Sequence, residues 1–266
     1  MVGLIIIGDE ILSGRRQDKH LSKSIELLGE RGMVVSWAQY VGDDPARITA
    51  LLREARQGSE VVFSFGGIGA TPDDHTRACA AQAWDVDLRL HPQARALILA
   101  RCEEMAQQDG VPFEPDSEDV QRRLLMGCFP EGADIIENPY NRIPGFSMER
   151  RVHFVPGFPV MAWPMMAAVL DDLHADLHGS ARQVERSVVV YGGIESRLTP
   201  LMLAIEQRHP LVKVFSLPSV DDSKHGRHIE LGVKGEAGAV TKAWPTLLEG
   251  LHSFGASLGP ELVRNI

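Results

Sequence analysis

Three apolar runs in the first third of the chain each end at a glycine and lead into a segment of helical period, and this alternation constrains the fold more than any other feature. Leu4 to Ile7 is continuously apolar up to Gly8, the pattern of a strand buried on both faces. Asp18 stands where an N-cap belongs, and Leu21, Ile25 and Leu28 follow at helical spacing until Gly29 and Gly32. Met33 to Val41 repeats the strand, and Gly42-Asp43-Asp44-Pro45 opens a helix with Ile48, Leu51, Leu52 and Ala55 on its buried stripe. Glu60 to Phe65 is the third strand, ended by Gly66-Gly67-Ile68-Gly69, with a helix starting near Asp74 or His75. Alternating strands and helices predict a doubly wound α/β layer in which the loops after the strands share the carboxyl rim. Gly8-Asp9-Glu10, Gly42-Asp43-Asp44 and Gly66 to Thr76 therefore converge there.

Further along, helices are expected over Gln93 to Gln108 and Ser117 to Met126, then extended segments at Ala133 to Ile136 and Val152 to Val155. Pro156-Gly157-Phe158-Pro159 turns into a helix ending near His178, and His178-Gly179-Ser180 reads as a domain boundary. The expected domains are residues 1–178 and 179–266. The second reads as a smaller α+β unit of order βαββα: Gln183 to Tyr191, Glu195 to Arg208, Val212 to Leu217, His228 to Lys234 and Ala239 to Leu251, with a loosely attached tail after Phe254.

The run from Gly66 to Thr76 carries the most chemistry. Three glycines in four positions let a backbone approach a ligand and permit the positive φ angles of an anion nest, and the following helix adds its positive end. The plainer reading is a strand-to-helix turn capped by Asp73 or Asp74. Adjacent carboxylates beside an anion nest repel a phosphate unless a proton or a divalent cation intervenes. Asp74 is thus the leading candidate for Mg²⁺ or transfer chemistry, and Asp74→Asn is expected to leave folding intact while abolishing metal-dependent turnover. Asp43 and Asp44 divide between capping and ligand roles, and Asp9 and Glu10 order the rim or touch the ligand, since no strong helix signal follows them.

The formal charge of −9 is spread without long blocks, which argues against a nucleic-acid or membrane surface, and the pair Arg15-Arg16 reads as solvated. Three widely spaced cysteines without C-x-x-C fit reduced thiols, and no apolar stretch approaches the ~20 residues of a membrane span, so the expected compartment is the cytoplasm. No histidine pair carries a metalloprotease pattern, so metal roles fall to carboxylates.

Taken together, Gly8 to Gly14 with Asp18, Val41-Gly42-Asp43-Asp44, Gly66 to Thr76, Asn138-Pro139 with Pro144-Gly145-Phe146, and Val155 to Pro159 resemble the molybdopterin-binding domain of MoaB/Mog proteins, most closely the N-terminal part of the competence/damage-inducible protein A (CinA) family. The resemblance spans about residues 1 to 175, and Glu195 to Gly235 looks like that family's small domain. It implies a three-layer, mostly parallel sheet whose glycine loop binds a pterin phosphate or adenylate. By matching position, Asp74 takes the loop-aspartate role, with Asp43 as companion acid and Thr76 supporting the loop.

The implied ligand set is Gly8, Asp9, Glu10, Gly66, Gly67, Ile68, Gly69, Asp73, Thr76, Pro156 and Gly157, with Asp43, Asp73 and Asp74 as the carboxylates for Mg²⁺ or another divalent cation. Molybdopterin or a nucleotide is the implied small-molecule partner, and a homo-oligomer is expected. Ala70 stands where the family's loop has proline, and Val160-Met161-Ala162 where it has Ser-Glu-Met. The amidohydrolase domain of longer relatives has no counterpart here, so nicotinamide-nucleotide deamidation is not implied. Three functions stay open: a molybdopterin- or nucleotide-binding protein of cofactor metabolism with nucleotidyl-transfer ability, a metal-dependent pyrophosphatase of the ADP-ribose or FAD type, and a non-catalytic binding module.

Overall fold

In the computed structural model, which describes residues 1–179, 183–219 and 226–265, side-chain alternation along the first strand builds the layers of the protein. β1 (Val2–Ile7) is buried throughout. Its residues Val2, Leu4 and Ile6 pack into one apolar cluster and Ile5 and Ile7 into another, as a period of two requires of a strand with a covered sheet face on each side.

The elements that follow are α1 (Asp9–Leu12), α2 (His20–Gly29), β2 (Val35–Val41), α3 (Pro45–Gln57), β3 (Val61–Phe65) and α4 (Thr76–Trp84). Next come β4 (Leu88–Leu90), α5 (Pro92–Asp109), α6 (Glu118–Leu124), β5 (Cys128–Pro130), β6 (Asp134–Ile136), β7 (Gly145–Met148), β8 (Val152–Val155) and α7 (Pro159–Leu173). The six-stranded sheet has the order β2-β1-β3-β8-β7-β6. The first four strands are parallel, and β7 and β6 each add antiparallel to the neighbour before them. Ile48 and Leu52 of α3 and Ala80 of α4 cover one face, while Leu28 of α2 and Met165 and Leu170 of α7 cover the other. This is the three-layer, mostly parallel α/β architecture.

Two local details differ from the sequence expectation. α2 buries His20, Ser24, Leu27 and Leu28, whereas Ile25 is 55% exposed. The helix is phased by His20, whose ring stacks on Phe65 at 4.5 Å and whose Nε2 donates to the Gly157 carbonyl at 3.0 Å. Asp18 still caps the start, accepting the amides of His20 and Leu21. Asp9 and Glu10 do open a helix, the single turn of α1.

The chain divides by contacts into Met1–His178 and Gly179–Ile266. The second unit holds β9 (Gln183–Tyr191), α8 (Glu195–Arg208), β10 (Val212–Ser219), β11 (His228–Glu236), α9 (Ala237–Ser253) and β12 (Ser257–Asn265). Its antiparallel sheet has the order β10-β11-β9-β12, with a core that includes Val188, Leu231, Trp244 and Leu247. The tail after Phe254 is therefore not loose: Glu261 to Asn265 pair with β9, and Gly259-Pro260 fall at an irregularity in that ladder.

Behind the first sheet, His153 is fully buried with Nδ1 2.7 Å from Ser147 Oγ and Nε2 2.8 Å from His174 Nε2. Two facing nitrogens need one proton between them. Burial lowers the pKa of His153, His174 and His20, so from the ordinary value of 6.5 downward the unfolded chain takes up protons that the folded chain refuses. Stability present above that value is lost as pH falls, each group contributing up to about 1.4 kcal/mol per pH unit. Urea midpoints are accordingly expected to drop between pH 7 and 5, and a flat midpoint across that range would contradict the buried neutral pair.

Candidate functional site

The loops after β1, β2, β3 and β8 lie at the carboxyl ends of the parallel strands and line one cavity of about 410 Å³. The β3 loop is folded by its own side chains. Asp74 Oδ1 accepts the Gly69 amide at 2.8 Å, while Oδ2 accepts the Thr71 amide at 2.8 Å and the Thr71 hydroxyl at 2.6 Å. Three of a carboxylate's roughly four lone-pair positions are thereby occupied. Thr76 is fully buried and donates its hydroxyl to the Gly66 carbonyl at 3.0 Å and its amide to the Gly67 carbonyl at 3.0 Å. The guanidinium of Arg77, also buried, donates to the Ile68 carbonyl. With these carbonyls engaged, the amides of Gly67, Ile68 and Ala70, residues that line the cavity, have no acceptor among the described residues.

The glycines are dictated by space as well as by φ. Gly66 (φ +99) and Gly67 (φ +68) lie in the left-handed region, and a Cβ on Gly67 would meet Thr76 Oγ1 at 2.1 Å. A Cβ on Gly157 would lie 3.4 Å from the Gly66 Cα, and the Gly157 carbonyl accepts the His20 hydrogen bond.

The β1 and β2 loops are tied together: the Asp9 amide donates to Asp43 Oδ2 at 3.0 Å, and the Asp43 amide to Asp9 Oδ1 at 3.2 Å. Asp44, not Asp43, caps α3, accepting the amides of Ala46 and Arg47. Capping therefore absorbs one acid of the pair and leaves Asp43 on the cavity wall. Burial raises the Asp43 pKa, and the neighbouring carboxylates of Asp9, Glu10 and Asp73 raise it further, while its bond from the Asp9 amide opposes them.

Gly8, Glu10, Asp43, the glycine run, Asp73, Asp74, Pro156 and Gly157 all line the cavity. Asp9 and Thr76 do not; they brace the loops that do. Asp43, Asp73 and Asp74 do not form a closed ligand set, since among the described residues no three acidic, histidine or cysteine side chains are grouped to hold a metal. The carboxylates are nevertheless hard oxygen donors, and the raised Asp43 pKa marks a position where a cation would relieve charge. Arg16, read from sequence as solvated, is the one Arg or Lys on the described lining. Asn138, Asn141, Phe158 and Met161 also line the cavity; Asn138, Phe158 and Met161 fall in segments the sequence singled out, and the Asn-Pro-x-Asn turn is the signal that could have found Asn141.

Residues 3–175 match the family described as probable molybdopterin binding domain. The chain belongs to that family. A CinA-like protein of Syntrophotalea carbinolica is 29% identical over 201 residues, covering 74% of this chain and 46% of the relative. A protein of Caldivirga maquilingensis is 29% identical over 240 residues, covering 88% of each. Among solved structures, the protein CinA of Thermoplasma acidophilum superposes with a TM-score of 0.53 at 28% identity, over 65% of this chain and 98% of that one. The first unit is thus a domain of the probable molybdopterin-binding family, similar to the protein CinA of Thermoplasma acidophilum. The chain spans about half the length of the CinA-like protein it matches. No helix among the described residues is long and apolar enough to cross a membrane.

Proposed function

We propose that this protein binds a phosphorylated pterin or nucleotide of cofactor metabolism, with the phosphate on the loop from Gly66 to Thr76. The observation that carries this reading is the set of amides at Gly67, Ile68 and Ala70 that have no acceptor among the described residues, in a loop whose Gly66, Gly67 and Ile68 carbonyls are engaged. Such a backbone is organised for an anion before the anion arrives. Opposing it are Glu10, Asp43, Asp73 and Asp74 against the single guanidinium of Arg16. An anionic ligand therefore binds with a proton on Asp43 or with a divalent cation shared between carboxylates and phosphate oxygens.

A second reading, metal-dependent pyrophosphate cleavage, is supported by the carboxylates of Glu10, Asp43, Asp73 and Asp74 standing on the same wall as the glycine loop. Asp43 on the cavity wall, together with the ligand's own phosphate oxygens, would hold Mg²⁺ or a similar ion, which would supply Lewis-acid polarisation of a phosphoryl oxygen. The loop amides would orient the diphosphate, and the bonds from Asp74 would keep them in place.

Asp43 decides the sign of the pH dependence. In metal-free buffer, affinity for AMP is expected to rise as pH falls through the raised Asp43 pKa, because protonation removes a charge that repels phosphate. Asp43→Asn should bind AMP more tightly than the native chain without metal at neutral pH, lose most of that pH dependence, and gain less from Mg²⁺. Equilibrium dialysis of both proteins with and without Mg²⁺ reads all three. Identical pH profiles for the two proteins would remove Asp43 from the site. AMP released from ADP-ribose or FAD with Mg²⁺ by the native chain alone would favour the second reading.

A further inference from the structure

Backbone donors fix the orientation of two side-chain amides on the cavity wall. The Tyr140 amide donates to Asn138 Oδ1 at 3.0 Å, and the Ile143 amide donates to Asn141 Oδ1 at 3.0 Å. An N–H facing each oxygen leaves no freedom in assigning oxygen and nitrogen. Asn138, 3% exposed, then spends Nδ2 on Asn141 Oδ1 at 2.8 Å and the Ile143 carbonyl at 2.9 Å. Asn141 differs. Its oxygen is doubly engaged, while the one acceptor for Nδ2 among the described residues is Met161 Sδ at 3.7 Å, a weak partner. Phe158 and Met161 beside it supply apolar surface on the same cavity.

We infer that Asn141 is the specificity residue of this site: its Nδ2 donates to an oxo group or unprotonated ring nitrogen on the edge of a flat heteroaromatic ring carried by the phosphorylated ligand. Asn138 acts as a positioning residue, because it turns Asn141 so that a donor and not an acceptor remains available. The inference rests on the proposed phosphate site and adds the ligand's other end. Occupying the wall with a group that lacks an acceptor displaces water from Nδ2 and leaves a polar donor unpaired. A sugar phosphate has no flat acceptor edge to offer, so the site selects ring-bearing phosphates.

The informative variant is Asn141→Asp. It keeps the oxygen that accepts from Asn138 and Ile143 and replaces the outward donor by an acceptor, so the turn is retained while its message is reversed. Calorimetric titration would use AMP, a pterin carrying a side-chain phosphate, and ribose 5-phosphate, each against the native chain, Asn141→Asp and Gly66→Ala. The native chain is expected to prefer at least one ring-bearing probe over ribose 5-phosphate by about tenfold or more, and Asn141→Asp to erase that ratio. Using the ratio cancels the long-range effect of the added charge. Equal binding of ring and sugar phosphates by the native chain, or a ratio unchanged in Asn141→Asp, overturns the inference while leaving the phosphate site standing. Failure of all three probes, or full binding by Gly66→Ala, overturns the phosphate site and this inference with it.

Discussion

Gly66→Ala is expected to abolish ligand binding and to lower the stability of the first unit by about 2–4 kcal/mol, from left-handed backbone strain plus a steric clash. Gly66 has φ +99, and a Cβ there would lie 2.5 Å from the carbonyl oxygen of Ile7. That oxygen belongs to β1, which is paired on one side with β2 and on the other with β3, so the obstructing backbone has nowhere to move. The loop must shift instead, and with it the Gly66 amide bonded to Val155 and the carbonyl that accepts from Thr76. Gly110→Ala is the matched control: its φ is +68 at the end of α5, an added methyl would meet nothing within 4 Å, and it is absent from the cavity wall. It should cost about 1–2 kcal/mol through φ alone and leave affinity unchanged. Denaturant unfolding and calorimetric titration of the pair separate the two effects. Native affinity in Gly66→Ala would mean that the loop does not hold the ligand.

Asp74→Asn is expected to weaken binding about 10- to 100-fold and to cost about 1–3 kcal/mol, the worth of a hydrogen bond to a charged group. From sequence, this change leaves folding intact and removes only chemistry. The structure gives Asp74 a different first task. Two amides and one hydroxyl converge on its two oxygens, and an asparagine offers a single oxygen, so its NH₂ must face the Gly69 or the Thr71 amide. The loop then opens at the segment that carries the free amides. Thr71→Val, which removes the hydroxyl and keeps the amide, should lose much less. Comparable losses in both variants would indicate that Asp74 holds the loop through the Thr71 hydroxyl and not through the two amides.

What the sequence made legible followed from rules that act locally. Buried strands announced themselves as unbroken apolar runs, and the glycine loop as three glycines in four positions. Asp43 and Asp44 could not be told apart, because both precede Pro45 and only the backbone turn decides which carboxylate reaches back to the helix amides. Ile25 was read as buried because spacing alone does not reveal that His20 turns inward to bond Gly157, a partner 137 residues away. β12 was missed because Gly259-Pro260 breaks its pattern, and the sheet accommodates that break as an irregularity. Arg16 is exposed, as its sequence reading had it, and its place on the wall comes from tertiary convergence of loops; Asn141 was passed over although the Asn-Pro-x-Asn turn marks it.

Whether unpaired amides of the β3 loop hold a phosphate is tested most directly by following backbone amide resonances while AMP is titrated into the native chain with and without Mg²⁺. Gly67, Ile68 and Ala70 are expected to shift first and furthest, together with Asp43, and no such shifts are expected in Gly66→Ala. Saturable binding with those amides unmoved would contradict a phosphate held on the loop.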